Sequence, residues 1–270
     1  MNFQQKLSEL ISPDPSIHLQ IETLSRFRVW RDGIEIKSSA WTREKALHLF
    51  QFLITLRRQS PQLHKEQIID GLWPEDDLEA SERNFRVALH ALNKVLEPER
   101  KSRSDPQFIQ RQGLTYGLAQ DSIRIDADVF EGLITLGTQA LSATDTTAAI
   151  TAFQQAVQAY RGDFLPESQY HDWCSIERER LQVLALNTMT TLATLQLSRN
   201  PLESIHLTQR VLAIDPIWED AYRIQMQAYQ TQGNRPLAVR TYQKCVETLA
   251  RELELDPLPE TQAMYESIIA

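Results

Sequence analysis

The chain has 270 residues, of which 42% are hydrophobic and 24% charged, a globular composition with room for one large domain or two ordinary ones. No apolar run approaches the ~18 residues of a membrane span, and the first residues lack the basic-then-apolar form of a secretory signal, so a cytoplasmic protein without membrane contact is expected. A formal charge of −8 disfavours indiscriminate binding to phosphate polymers, and two cysteines, Cys174 and Cys245, are too few for a disulfide framework or a four-thiolate zinc site.

The charge is unevenly spread. Up to Arg124 there are 18 basic and 17 acidic residues; from Ile125 onward there are 10 and 19. Such asymmetry is compatible with one end meeting an anionic partner and the other meeting protein.

Residues 1–18 read as a flexible arm, because the Ser-Pro-Asp-Pro run at 12–15 stops any helix that Phe3, Leu7, Leu10 and Ile11 could begin. Leu19 and Ile21, then Phe27 and Val29, repeat at two residues. Asp32-Gly33 is a hairpin dipeptide, and Ile34 and Ile36 resume the alternation, which together predict a small antiparallel sheet.

Thr42 is a candidate N-cap for a helix carrying Ala46, Leu49, Phe50 and Leu53; Lys45 stands where a capping box wants Glu. A second helix is predicted over 64–72, ended by Trp73-Pro74. A third runs over 81–97. Phe108, Ile109, Leu114, Tyr116 and Leu118 around Gly113 predict a second hairpin.

From Ala127 onward strand signals almost vanish. Leu133, Leu136, Ala140 and Leu141 mark one helix, Ala149, Phe153, Ala156, Val157 and Tyr160 the next, and a long one is predicted over 171–197. Arg199-Asn200 and Gly233-Asn234 lie 34 residues apart between helices, as do Thr194-Leu195 and Ala228-Tyr229 before them. That period, with a turn at the same place, predicts tetratricopeptide-type stacking rather than an unrelated bundle. The boundary is expected near 121–128, dividing the chain into 19–124 and 125–270.

The third helix is the sharpest candidate site. Phe85, Ala88, Leu89, Leu92, Val95 and Leu96 make an apolar face; Arg83, Arg86, His90, Asn93 and Lys94 recur at three or four residues on the remainder. A helix fits the DNA major groove, where Arg donates to guanine and Asn pairs with adenine. Arg86 and Asn93 are therefore the candidate base contacts. Arg83, His90, Lys94 and, on the second hairpin, Arg111 are candidate backbone contacts. Thr42, Arg43, Lys45 and Lys65, near the starts of the preceding helices, are candidates to hold phosphates.

The order of motifs from about Leu19 resembles the bacterial transcriptional regulators related to the Streptomyces antibiotic regulatory proteins. The resemblance is carried by Phe27-Arg28-Val29-Trp30-Arg31-Asp32-Gly33, Arg43-Glu44-Lys45-Ala46-Leu47, Leu72-Trp73-Pro74 and Asn84-Phe85-Arg86-Val87-Ala88-Leu89-His90. It continues in Asp126-Ala127-Asp128-Val129-Phe130, Tyr160-Arg161-Gly162-Asp163-Phe164-Leu165, Trp173, Glu177-Arg178, Ala238-Val239-Arg240-Thr241-Tyr242 and Glu252-Leu253-Glu254-Leu255-Asp256-Pro257.

The resemblance implies an α+β winged helix of response-regulator type, followed by an all-α transcriptional activation domain of tetratricopeptide-like repeats. It makes helix 81–97 the recognition helix and 108–118 the wing. It also implies promoter binding on double-stranded DNA and recruitment of RNA polymerase or another regulatory protein, in a bacterial cytoplasm. This chain departs from the family pattern: Ala91 and Asn93 stand where arginines are common, and no basic residue follows Tyr116. Fewer cations imply weaker non-specific affinity and a shallower salt dependence, and point to partner assistance or a homodimer.

No Gly-rich phosphate loop precedes a Lys-Ser or Lys-Thr, no nucleophile, base and oxyanion set converges, and neither catalytic residue, cofactor nor metal site is expected. His171 and Cys174, three apart, lack further ligands. Asp76, Asp77, Glu79 and Glu82 read as a solvated acidic loop. Trp30, Trp41 and Trp73 read as core rather than base-stacking residues. The rival to a regulator is a non-DNA-binding adaptor whose helical repeats organise a protein complex.

Overall fold

The computed structural model describes residues 2–101 and 104–270. The chain opens with helix α1 (Phe3–Ile11), where an arm was expected; Leu7 is buried, and Ser-Pro-Asp-Pro ends the helix rather than preventing it. Strands β1 (Leu19–Glu22), β2 (Arg28–Arg31) and β3 (Ile34–Glu35) follow. Asp32 and Gly33 both take positive φ, 48° and 78°, giving the turn whose twist matches the strands it joins.

Helix α2 (Glu44–Leu56), the short strand β4 (Leu63–His64), helix α3 (Lys65–Leu72) and helix α4 (Leu78–Leu96) come next, then the hairpin β5 (Ile109–Gln112) and β6 (Thr115–Leu118). Strand β7 (Ile123–Ile125) lies within the expected boundary and pairs in parallel with β1, Leu19 opposite Ile123. The sheet order is β3-β2-β1-β7, and a second sheet runs β4-β6-β5. Neither β4 nor β7 shows in a residue pattern, because two or three residues are too few to alternate.

The rest is helical: α5 (Asp126–Ser142), α6 (Thr146–Ala159), α7 (Ser175–Gln196), α8 (Pro201–Ile214), α9 (Glu219–Thr231), α10 (Arg235–Leu253) and α11 (Pro259–Ile269). The predicted long helix from 171 starts later, since 172–174 is a 3-10 turn and α7 begins at Ser175. The 34-residue period has a visible cause. Asn200 caps α8 by accepting from the Glu203 amide, and Asn234 caps α10 by accepting from the Leu237 amide. Each is followed within two residues by a proline in the first turn. The two caps repeat one start signal.

The chain forms two compact units that do not follow a single cut. One comprises residues 8–131 and 159–182, the other 1–7, 132–158 and 183–270. In the first, Leu19, Ile21 and Val29 of the sheet are buried, as are Leu49, Phe50, Leu53 and Ile54 of α2 and Phe85, Ala88, Leu92 and Leu96 of α4. Trp41 stacks on Phe50 with centroids 5.9 Å apart, which gives it a packing role. In the second unit, Tyr222, Cys245 and Leu249 form one buried cluster, and Met226, Ala238 and Ile268 another.

The segment 159–182 joins the first unit through specific contacts. Leu24 and Phe164 form an isolated antiparallel bridge, and the Leu165 amide donates to the Thr23 carbonyl at 2.8 Å. Gly162 lies so close to Ser25 that a Cβ would sit 3.3 Å from its Cα. Arg178 holds this turn from α7, donating to the carbonyls of Phe164 (2.8 Å) and Leu165 (3.0 Å).

Asp126 opens α5 in the same unit. Its carboxylate accepts from the Thr23 amide and hydroxyl, the Leu24 amide and the Ala127 amide at 2.6–3.0 Å. Burial lifts this carboxyl above its usual range while the donors pull the other way. Asp126→Asn would set an amide N–H against the Leu24 N–H. We expect it to destabilise the chain by about 1–3 kcal/mol, the scale of an unsatisfied buried donor, measured by urea unfolding.

His48 of α2 faces His171 with ring centroids 4.5 Å apart. Burial first, and His171 second, push the His48 imidazole below its usual 6.5, against the opposing pull of Glu44. The folded chain thus favours the neutral ring. This stability is complete above the unfolded value and is lost as pH falls through the folded one. The difference in urea stability between wild type and His48→Gln should therefore shrink between about pH 7 and about pH 5, where histidine titrates. An equal difference at both would show that the ring is not held neutral.

Candidate nucleic-acid interface

Helix α4 is fixed at both ends. Asp77, expected in a solvated acidic loop, is its N-cap and accepts from the Ala80 amide at 2.8 Å. At the other end Arg31 Nη1, from β2, donates to the carbonyls of Val95 and Leu96, both at 3.2 Å. That satisfies terminal acceptors and places a cation at the negative end of the helix dipole. A cap preference at Asp77 was readable in the sequence; the Arg31 contact spans 64 residues and was not.

The wing is held against the same helix. Phe85, 2% exposed, meets Tyr116 edge to face with centroids 5.0 Å apart. Glu97 Oε1 accepts from the amides of Gln107 and Phe108, anchoring the start of β5. Gly113, at φ 62°, turns the hairpin. Gly117 has no room for a Cβ, which would meet the Pro61 carbonyl.

The outward face of α4 carries Arg83, Arg86, His90 and Lys94, all exposed. None of them makes a side-chain hydrogen bond or ion pair among the described residues. At spacings of three and four they form one stripe. Thr42, Arg43 and Lys45 are likewise exposed and unpaired among the described residues. A groove of about 790 Å³ is lined, among others, by Glu35, Lys37, Thr42, Arg43, His90 and Lys94. The sequence offered no sign of Lys37, which lies in a coil with no periodicity.

Two expected contacts look different. Asn93 is corrected: it is 6% exposed, and its Oδ1 has no hydrogen-bond partner among the described residues. Four residues after Leu89 and three before Leu96, it lies on the inward face, so its amide does not reach a groove. Asn93→Leu should leave DNA affinity unchanged and shift stability by no more than about 1 kcal/mol, since it replaces an unsatisfied polar group with an apolar one of similar size. Lys65 is ion-paired with Glu82, and its N–H donates to the Leu114 carbonyl at 2.9 Å. A phosphate there would have to displace Glu82.

Thr42 is also not the N-cap of α2; Arg43 occupies that position, with no side-chain cap bond. Arg111 is exposed on the wing, its Nε donating to the Gly113 carbonyl at 2.8 Å and its guanidinium 5.7 Å from the Tyr116 ring centre. Among the described residues no three potential metal ligands converge. No described helix is long and apolar enough to cross a membrane.

Residues 125–269 match the family described as bacterial transcriptional activator domain. The chain belongs to this family. Regulatory protein AfsR of Streptomyces griseus is 23% identical over 252 residues, 93% of this chain and 24% of that protein. AfsR of Streptomyces coelicolor is 24% identical over the same shares. The chain thus spans about a quarter of the length of these relatives. The structure of Mycobacterium tuberculosis EmbR in complex with a low-affinity phosphopeptide superposes with a TM-score of 0.79 at 20% identity, covering 93% of this chain and 65% of that one. That likeness is one of fold: a winged helix followed by tetratricopeptide-like helices.

The activator-domain landmarks have physical roles here. Asp126 receives the amides of Thr23 and Leu24 just after β1, and Asp128 accepts from Arg57 at 2.5–3.2 Å. Phe130 packs on Tyr160 with centroids 5.5 Å apart. Cys174 is buried, and burial raises its thiol above its usual range. His171 and Cys174 thus belong to a packed turn.

Proposed function

We propose that the protein is a sequence-specific DNA-binding transcriptional regulator, an activator, that reads the major groove with α4. Arg86 donates to base edges, while Arg83, His90 and Lys94 position the helix against phosphates. Thr42, Arg43 and Lys45 hold the backbone at the start of α2, joined by Lys37, and Arg111 on the wing follows the adjoining backbone or minor groove. The domain reading of 19–124 for DNA and 125–270 for protein contact goes with this assignment. The helical part engages RNA polymerase or another regulatory protein, in the cytoplasm and without turnover.

The observation that supports this most is a partition of cations. Arg28, Arg57, Arg58 and Lys65 are ion-paired, and Arg31 is spent on helix carbonyls. The stripe on α4 is not. A rigid helix with an unpaired cationic face and an apolar back is what groove recognition requires.

The test is selection of bound genomic fragments by purified protein at low salt, with mass measurement of free and bound species. Saturable enrichment of a shared site supports the proposal, and two copies per site would show a homodimer. No enrichment at micromolar protein would favour an adaptor.

A further inference from the structure

A second polar site lies in the other compact unit, which contains none of the residues assigned to DNA. Helices α8, α9 and α10 enclose a groove of about 370 Å³, lined among others by Gln209 of α8, Gln225 and Tyr229 of α9, and Arg240 and Lys244 of α10. That volume is at the small end of ligand pockets, enough for a short peptide segment and far too small for a duplex.

The chemistry of its walls points one way. From residue 125 onward acidic residues outnumber basic ones by 19 to 10. Most of those ten cations are occupied: Arg161, Arg180, Arg223 and Arg251 by carboxylates, Arg178, Arg210 and Arg235 by backbone carbonyls. Among the described residues only Arg199, Arg240 and Lys244 have neither kind of partner. Arg240 and Lys244 are both exposed, one turn apart on α10, and both line the groove. Like charges at that spacing repel, and an anion between them relieves the repulsion.

Gln225 adds an independent observation. It is 8% exposed, lines the groove, and its side-chain amide has no hydrogen-bond partner among the described residues. The amide end itself is not fully buried and opens to solvent at the groove wall. There its donor and acceptor can be completed by a peptide backbone.

We propose that this groove binds a short acidic segment of a partner protein. Arg240 and Lys244 take its carboxylates, and Gln225 bonds its main chain. A peptide carboxylate suits two separate cations and an amide.

The test uses the full chain and a fluorescein-labelled peptide, Gly-Asp-Glu-Asp-Glu-Gly, with an Asn/Gln peptide of equal length as reference. The acidic peptide should bind saturably and the neutral one should not. Arg240→Gln with Lys244→Gln should weaken binding about tenfold or more, the scale of a lost charge-assisted hydrogen bond, without moving the thermal unfolding curve. Gln225→Leu should also weaken it, and Arg199→Gln should bind like wild type. Equal binding of both peptides would overturn the proposal. So would a loss in Arg199→Gln as large as in the paired variant, or binding confined to a third peptide in which a phosphoserine replaces one Asn of the neutral one. DNA binding should persist in all these variants, so failure here is separable from failure of the DNA reading.

Discussion

Arg86→Ala should weaken binding to a cognate site by about 1–3 kcal/mol, roughly ten- to a hundredfold, if its guanidinium makes a bidentate contact to a guanine edge. Binding to unrelated duplex should change little. The reason is positional: Arg86 is exposed, central on the stripe and free of any ion pair among the described residues. Arg83→Ala and Lys94→Ala, by contrast, should weaken all duplexes alike and reduce the salt slope by about one each, as phosphate contacts do. Titrating each variant against cognate and scrambled duplexes at several salt concentrations separates the two roles. A uniform loss in Arg86→Ala would move that residue to the backbone class.

Phe85→Ala should destabilise the chain by about 3–5 kcal/mol, the usual range for emptying a buried aromatic site. Phe85 is 2% exposed and meets Tyr116 of the wing from the inner face of α4. Its loss removes packing from the recognition helix and the wing together. Phe85→Leu, which keeps much of the volume, should lose less stability yet still weaken DNA binding, because the wing loses its edge-to-face partner. Urea unfolding beside DNA titration reads both effects. Full DNA affinity in a stably folded Phe85→Leu would show that the wing needs no such anchor.

Much of the architecture was legible because it rests on local signals. Asp32-Gly33 predicts the turn that both residues adopt with positive φ, and Asn200 and Asn234 mark two helix starts by their own side chains. The stripe on α4 could be read from spacing alone. Pairing across long separations could not. Strand β7 forms only because β1 lies beside it, and segment 159–182 joins the first unit through Thr23, Leu24 and Ser25, more than 130 residues earlier.

The same limit explains the site residues. Asn93 reads as polar and therefore outward, but three- and four-residue spacing to Leu96 and Leu89 places it inward. Lys65 reads as a free cation until Glu82, on the next helix, pairs with it. A sequence shows which side chains carry charge; only the fold shows which charges are already used.

The most direct test of groove reading by α4 is interference by guanine N7 methylation on a site selected from genomic fragments. N7 lies in the major groove, where an arginine contact would meet the methyl group. Methylation at one or more guanines should block binding of the wild type, and Arg86→Ala should be indifferent at one of those positions. Wild-type binding that ignores N7 methylation throughout, at sites containing guanine in every half, would contradict major-groove recognition by this helix.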